Sequence, residues 1–403
     1  MNTWTAWGFR RTGPVTAAAL ALTLIACVED ERSSPDADDS RGAEDSSLAA
    51  DASPEPAPGT TSHDDPQPEQ TTRSSSPRGP RGSVREPITV SFAGDIHFEG
   101  ELRTLLDDPE NALDPVAADL SDADLTVVNL ESAVGSGGTP EPKRYTFQAP
   151  PAALEALSAA GVDVVTMANN HAMDFGPDGF ADTLAAAEQA RDAQPPLSVV
   201  GIGADTDDAF TPAVRDVGGV RVAVLGASTP DDPTADPTEH WAATEDDPGI
   251  AVALDHEPLV EAVDAARADA DVVIVYMHWG IQGERCPSES QQDLARALAD
   301  AGADIVVGSH AHRLQGAGML DDTYVSYGLG NFAWYTQNSR AASTTGVLTV
   351  EVDGGQVSAE SWAPARIGPD GLPEFVTGDE AEDMADDVAQ LRECTDLEPL
   401  GPS

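Results

Sequence analysis

The chain holds eight histidines, and five of them stand in the same kind of place. His97, His171, His278, His310 and His312 each lie within a few residues of the end of a short β-branched apolar run, among carboxylates and amides. The strings are Gly94-Asp95-Ile96-His97, Asn129-Leu130-Glu131, Ala168-Asn169-Asn170-His171, Met277-His278-Trp279-Gly280 and Gly308-Ser309-His310-Ala311-His312. On extended backbone, residues two apart project to the same side, so Asp95 with His97, and His310 with His312, can each grip one ion. Imidazole, carboxylate and amide together suit borderline divalent cations such as manganese, zinc, iron or cobalt. The strings offer more ligands than one tetrahedral zinc takes, which predicts two divalent ions sharing a carboxylate. One such histidine is ordinarily a packing residue; five at the same kind of position are hard to obtain from packing. His63 falls in a polar stretch, and His240 and His256 stand in acidic surroundings and read as surface residues.

These residues need a scaffold that brings strand ends together. Ile88–Gly94, Leu125–Asn129, Val162–Met167, Val220–Gly226, Asp271–Met277 and Asp304–Gly308 read as buried strands. Amphipathic patterns at Pro151–Ala160, Pro177–Ala193, Glu257–Ala270 and Ser288–Ala301 read as helices. Pro151, Pro177 and Pro258 fit first turns, and Gly161 and Gly302 fit C-terminal caps. Tyr324–Tyr327 and Gly346–Val352 read as closing strands. The alternation predicts an α/β body, in which ligands gather at the carboxyl ends of strands.

Each string alone is common. Their order, GDxH, NLE, ANNH, HWG and GxHxH, resembles the CapA/PgsA family of poly-γ-glutamate capsule synthesis proteins, which is similar in turn to the calcineurin-like metallophosphoesterases. Lys143-Arg144-Tyr145-Thr146-Phe147, Ala168–Gly176, Gln291, Gly308–Gly316 and Ser326–Phe332 extend the resemblance over about residues 88–350. The resemblance implies a four-layer αββα sandwich. It also implies that Asp95, His97 and His312 hold one ion, that Asn170, His278 and His310 hold a second, and that Glu131 bridges them. His171 would be a proton donor beside the ions, and Asn331 would line the pocket. Three positions depart from the pattern. Glu131 stands where phosphoesterases carry Asp. Ile281-Gln282 stands where the family usually supplies a Glu, with Glu284 nearby. His97 is present where CapA relatives often lack it.

Composition bounds the partners. There are 71 acids against 21 Lys+Arg, a formal net charge of −50, which excludes a nucleic-acid binder with a basic footprint. Residues 87–403 carry −44 of this. Such a surface repels itself in dilute salt and is tolerable where the Debye length falls to about 3 Å at 1 M; adaptation to salt and a merely acidic bacterial composition are both open readings. A polyanionic substrate needs local positive charge. The two ions, the sole lysine Lys143, Arg144 and Arg313 could supply it, against the alternative that these three are ordinary solvated cations. Trp279, Tyr145 and Phe147 are expected to pack rather than touch substrate.

At the N-terminus, Arg10 and Arg11 precede the apolar run Val15–Ala26, which is too short to span a bilayer but right for a signal segment. Leu24-Ile25-Ala26-Cys27 resembles a bacterial lipobox, so Cys27 is the expected lipidation site and residues 1–27 a lipoprotein signal. Residues 28–86, rich in Pro, Ser and acids, are expected to be a disordered tether. The CapA-like body is expected over 87–376, followed by an acidic tail over 377–403. Three cysteines exclude a disulfide-dense scaffold and a CxxC zinc ribbon. With the body outside the cytoplasm, Cys286 and Cys394 are the expected pair.

Two functions fit. One is a lipid-anchored, extracytoplasmic, metal-dependent hydrolase or transferase acting on a phosphoester or amide, with an anionic polymer as substrate. The other is a non-catalytic polymer-binding or assembly subunit working with other capsule synthesis subunits.

Overall fold

Side chains alternate along the strands of this chain, and the alternation sorts them into three apolar layers. In the strand Val272–Gly280, Val272, Ile274 and Tyr276 enter one cluster while Val273, Val275 and Met277 enter another. In Leu125–Leu130, Leu125 and Val127 enter that first cluster while Val128 and Leu130 enter a third. A period of two with both faces apolar gives strands covered on both sides.

The computed structural model describes residues 86–230, 238–335 and 339–401. The signal segment with Cys27, and all of the tether but Glu86, lie outside the described residues. Strands are β1 (Ile88–Ile96), β2 (Leu125–Leu130), β3 (Val164–Thr166), β4 (Ser198–Val200), β5 (Ala213–Val217), β6 (Val220–Pro230), β7 (Val272–Gly280), β8 (Ile305–His310), β9 (Ala317–Leu320), β10 (Thr323–Ser326), β11 (Asn331–Ala333), β12 (Thr344–Asp353), β13 (Gln356–Ile367) and β14 (Pro373–Phe375). One sheet of eight strands runs β14-β13-β12-β1-β2-β3-β4, with β11 also paired to β1. The other, of six strands, runs β9-β10-β8-β7-β6-β5. The centre of each is parallel; antiparallel strands close both edges of the second sheet and one edge of the first, whose other edge is the parallel β4.

The longer helices are α1 (Asp114–Leu120), α2 (Ala152–Ala159), α3 (Gly176–Asp192), α4 (Glu257–Asp269), α5 (Glu289–Ala301) and α6 (Asp379–Ala389). Residues of α1, α2 and α3 pack on the outer face of the first sheet; those of α4 and α5 pack on the outer face of the second. The inner faces meet through Val90, Phe92, Val127, Val224, Ile274 and Val307. The order of layers is therefore helix, sheet, sheet, helix, an αββα sandwich.

Local signals explain most helix ends. Ser288 and Gln291 form a reciprocal capping box on α5, and Gly302 ends it in the left-handed region at φ 103°. Pro177 and Pro258 occupy first turns, whereas Pro151 sits one residue before α2.

The acidic tail expected over 377–403 is part of the body. Leu391 and Leu397 are buried, Glu398 bridges to Met319, and Asp396 accepts from Arg296 and Tyr327. A 108-residue loop is closed by the disulfide Cys286–Cys394, with Cα atoms 5.7 Å apart. Among the described residues no helix is long and apolar enough to cross a membrane.

Candidate metal centre

The parallel strands β1, β2, β7 and β8 end at the same edge of their sheets, and their last residues converge. Gly94 makes the convergence sterically possible: a Cβ there would lie 2.0 Å from the Gly330 carbonyl oxygen, which accepts from the Asp95 N–H at 2.9 Å. His310 and His312 both adopt left-handed backbone, at φ 90° and 52°. Such conformations cost about 1–3 kcal/mol each and collect at functional sites. Here they turn two imidazoles back over the ends of the strands.

Two triads result, and they share one carboxylate. Glu131, His278 and His310 offer ligand atoms within 4.8 Å of one another; so do Asp95, Glu131 and His312. Glu131 is fully buried, and neither of its oxygens has a hydrogen-bond donor. Burial, then the neighbouring Asp95, hold its carboxyl well above the usual range. A buried acceptor without a donor costs about 1–3 kcal/mol, and a cation between the triads removes that cost.

The donor sets fit divalent ions on each side of Glu131. His278 Nε2 lies 2.7 Å from Asn170 Oδ1, 3.0 Å from His310 Nδ1 and 3.8 Å from Glu131 Oε1. Two imidazole nitrogens facing each other need either a proton or a cation between them, and burial keeps the His278 ring neutral. On the other side, His312 Nδ1 stands 3.2 Å from Asp95 Oδ2. Burial would raise Asp95, but His312 and His278 prevail and hold it well below the usual carboxylate range. Asp95 also accepts from Asn129 Nδ2 at 2.7 Å and from the His310 N–H at 3.1 Å.

His97 comes beside this cluster but enters neither triad. Its Nδ1 accepts from the Glu99 N–H at 3.0 Å, and its buried Nε2 has no hydrogen-bond partner. The ring is boxed by Trp334, Tyr335 and Phe147, with centroids 4.1, 4.7 and 4.9 Å away.

His171 stands over the shared carboxylate, with Nε2 3.7 Å from Glu131 Oε1. Its ring stacks on Phe147 at 4.1 Å, and Nδ1 lies 2.6 Å from Asp174 Oδ2. Asp174 is pushed up to about 7 by burial, against the pull of Lys143. Burial, then Lys143, press His171 well below its ordinary value. Asp174 is the functional residue that the sequence reading passed over; its signal was the spacing of three residues after His171. Asn129 and Asn169 were also passed over. Asn169 donates to Asn129 Oδ1 and the Leu130 carbonyl, and Asn129 in turn orients Asp95.

A cleft of about 280 Å³ opens on this edge, lined in part by His171, His312, Arg313, Asn331, Gln282 and Tyr145. Arg313 and Asn331 therefore stand at the cleft. Lys143 does not line it: its ammonium is turned inward, 2.7 Å from Asp174 Oδ1 and bonded to the Asn170 carbonyl. Arg144 is exposed over the Tyr145 ring, also outside the lining. Tyr145, expected to pack, is 49% exposed and lines the cleft; Phe147 and Trp279 are buried as packing residues.

Comparison with known proteins gives a consistent picture. The family model described as bacterial capsule synthesis protein PGA_cap matches residues 89–336. The PGA biosynthesis protein CapA of Bacillus subtilis (strain 168) is 35% identical over 193 residues, 48% of each chain. The capsule biosynthesis protein CapA of Bacillus anthracis is 30% identical over 259 residues, 62% of this chain and 60% of that one. The matches thus span about half to three fifths of these curated relatives. Among solved structures, a novel phosphatase of Mycoplasma pneumoniae has a TM-score of 0.42 at 16% identity, over 70% of this chain and 95% of that one. A likeness of that order carries no argument about chemistry.

Proposed function

Because this chain belongs to the bacterial capsule synthesis protein PGA_cap family, we propose that it acts in capsule synthesis at the cell surface as a metal-dependent hydrolase or transferase. Its proposed substrate is a poly-γ-glutamate-type anionic polymer, attacked at a phosphoester or amide bond. The observation that carries the reading is Glu131, a buried carboxylate without donors shared by two ligand triads. Bound there, two divalent ions would supply Lewis acidity and an activated water.

The remaining chemistry belongs to the chain's own side chains. Asp174 holds His171 through Nδ1, leaving Nε2 directed at the reacting edge. A protonated His171 donates to the departing group, a contribution of about 10²–10⁴ in rate. Lys143 partly neutralises Asp174 and fixes the Asn170 carbonyl, so it positions rather than binds. Arg313 and Asn331 face the cleft where a substrate would lie.

The disulfide supports an oxidising compartment. With the apolar run before Cys27, it supports a lipid-anchored protein on the outer face of the membrane. Gln282 at the cleft, where the family's pattern usually supplies a carboxylate, favours a second reading in which the site binds polymer or partner subunits without turnover.

The test is elemental analysis of the purified chain together with a screen of phosphoesters and γ-glutamyl amides, with His171→Ala as control. The catalytic reading expects bound divalent metal and a turnover that the substitution removes. Turnover undiminished in His171→Ala, or in protein stripped of metal, overturns it; metal without turnover supports the second reading.

A further inference from the structure

Beside the metal cleft lies a second hollow, about 60 Å³ in volume, the liquid volume of about two waters. Arg285, Arg313, Arg340 and Arg366 line it, with Asp387 as their acidic neighbour. In a chain with 21 Lys+Arg and 71 acids, four arginines around one small hollow run against the composition. Arg366 is paired with Glu380 Oε1 at 3.0 Å. Among the described residues, no carboxylate forms an ion pair with Arg285, Arg313 or Arg340.

The hollow joins the reaction site. Arg313 is a wall of both the hollow and the metal cleft. Met384, Val388 and Leu391 line it as well and supply apolar surface. The two groups are tied together: Arg285 precedes Cys286, whose disulfide partner Cys394 follows Leu391 by three residues. Guanidinium forks match carboxylates in two-point geometry, and the apolar residues can lie against the backbone methylenes next to each pendant carboxylate of a γ-linked chain. A bare phosphate would use the first feature and waste the second.

We propose that this hollow is a subsite for side carboxylates of a glutamyl chain whose backbone passes through the metal cleft. The inference rests on the polymer reading above and adds where the polymer is gripped. It also accounts for how a body of net charge −44 holds a polyanion: the field is repulsive at long range, and the grip is local.

The probe is a short γ-linked glutamyl oligomer, titrated calorimetrically into the full, metal-loaded chain, with metal content measured on the same samples. Arg285→Gln with Arg340→Gln is expected to weaken binding at least about tenfold at unchanged metal content. Asp387→Asn, which removes the local acid, is expected to tighten it about threefold. Equal affinity in wild type and the double variant overturns the subsite, as does an Asp387→Asn that binds no better. Inorganic phosphate binding as tightly as the oligomer, and lost with the same arginines, overturns the carboxylate assignment. Metal-loaded protein that ignores the oligomer sinks the subsite and spares the metal reading; a chain that takes up no divalent metal yet still grips the oligomer does the reverse.

Discussion

The two edges of the sheets carry carboxylates in different circumstances. At the amino edge, Asp124, Asp163, Asp271 and Asp304 each stand immediately before a strand: β2, β3, β7 and β8. Each accepts a backbone N–H from a neighbouring strand: Thr89 at 2.8 Å, Thr126 at 2.9 Å, Arg221 at 3.0 Å and Val273 at 2.8 Å. Asp304 also takes the Arg267 guanidinium. At the carboxyl edge, Glu131 accepts nothing, although it is as deeply buried as any residue in the fold. Asp304 is buried as Glu131 is, whereas Asp124 is exposed and Asp163 and Asp271 are half-buried, so burial alone does not separate Asp304 from a ligand. The supply of donors does: Asp304 closes its hydrogen bonds within the protein, and Glu131, unlike its neighbour Asp95, is left open for a cation.

The contrast is broken or sharpened by substitution at each edge. Glu131→Ala should release metal and lower turnover on the order of 10³-fold or more, the rate equivalent of several kcal/mol of transition-state stabilisation. Elemental analysis and steady-state kinetics measure this, and retained metal would break the contrast at its centre. His171→Ala should keep the metal and lose about 10²–10⁴ in turnover, which separates ligation from proton transfer within the same edge.

Asp304→Ala should do the opposite of both. Metal and turnover stay, while chemical denaturation shows a loss of about 2–3 kcal/mol, because Arg267 and the Val273 N–H lose their partner. The smallest effect is in pH. Burial, then Lys143, press His171 well below its ordinary value, so a step needing His171 as acid should slow about tenfold per pH unit above that depressed value. The sign for stability agrees. Asp174 is raised above its ordinary value of 3.8, so its contribution favours the fold fully below that value and is lost as pH rises through about 7. Asp174→Asn should flatten the stability dependence, seen in melts across pH.

Much of this was legible in the chain itself. Strand positions, an α/β body and the placing of Asp95, Glu131, Asn170, His278, His310 and His312 at strand ends follow from alternation and order along the sequence, and the αββα layering from the resemblance that the order carries. Side-chain period on a strand is a local property, and a few residues reveal it. Other features were not legible. Spacing put His97 beside Asp95, but the Glu99 N–H took its Nδ1. Charge made Lys143 a substrate candidate, but Asp174, 31 positions later, turned it inward.

The sequence by itself determined which residues reach the active edge, because strand period and strand ends are written locally. Tertiary structure decided which of them remain unsatisfied there. It also drew Arg285, Arg313, Arg340 and Arg366 around one hollow and packed the acidic C-terminal segment against the body. Hydrogen-bond supply and charge convergence are sums over neighbours from distant parts of the chain, and those neighbours exist only once the chain is folded.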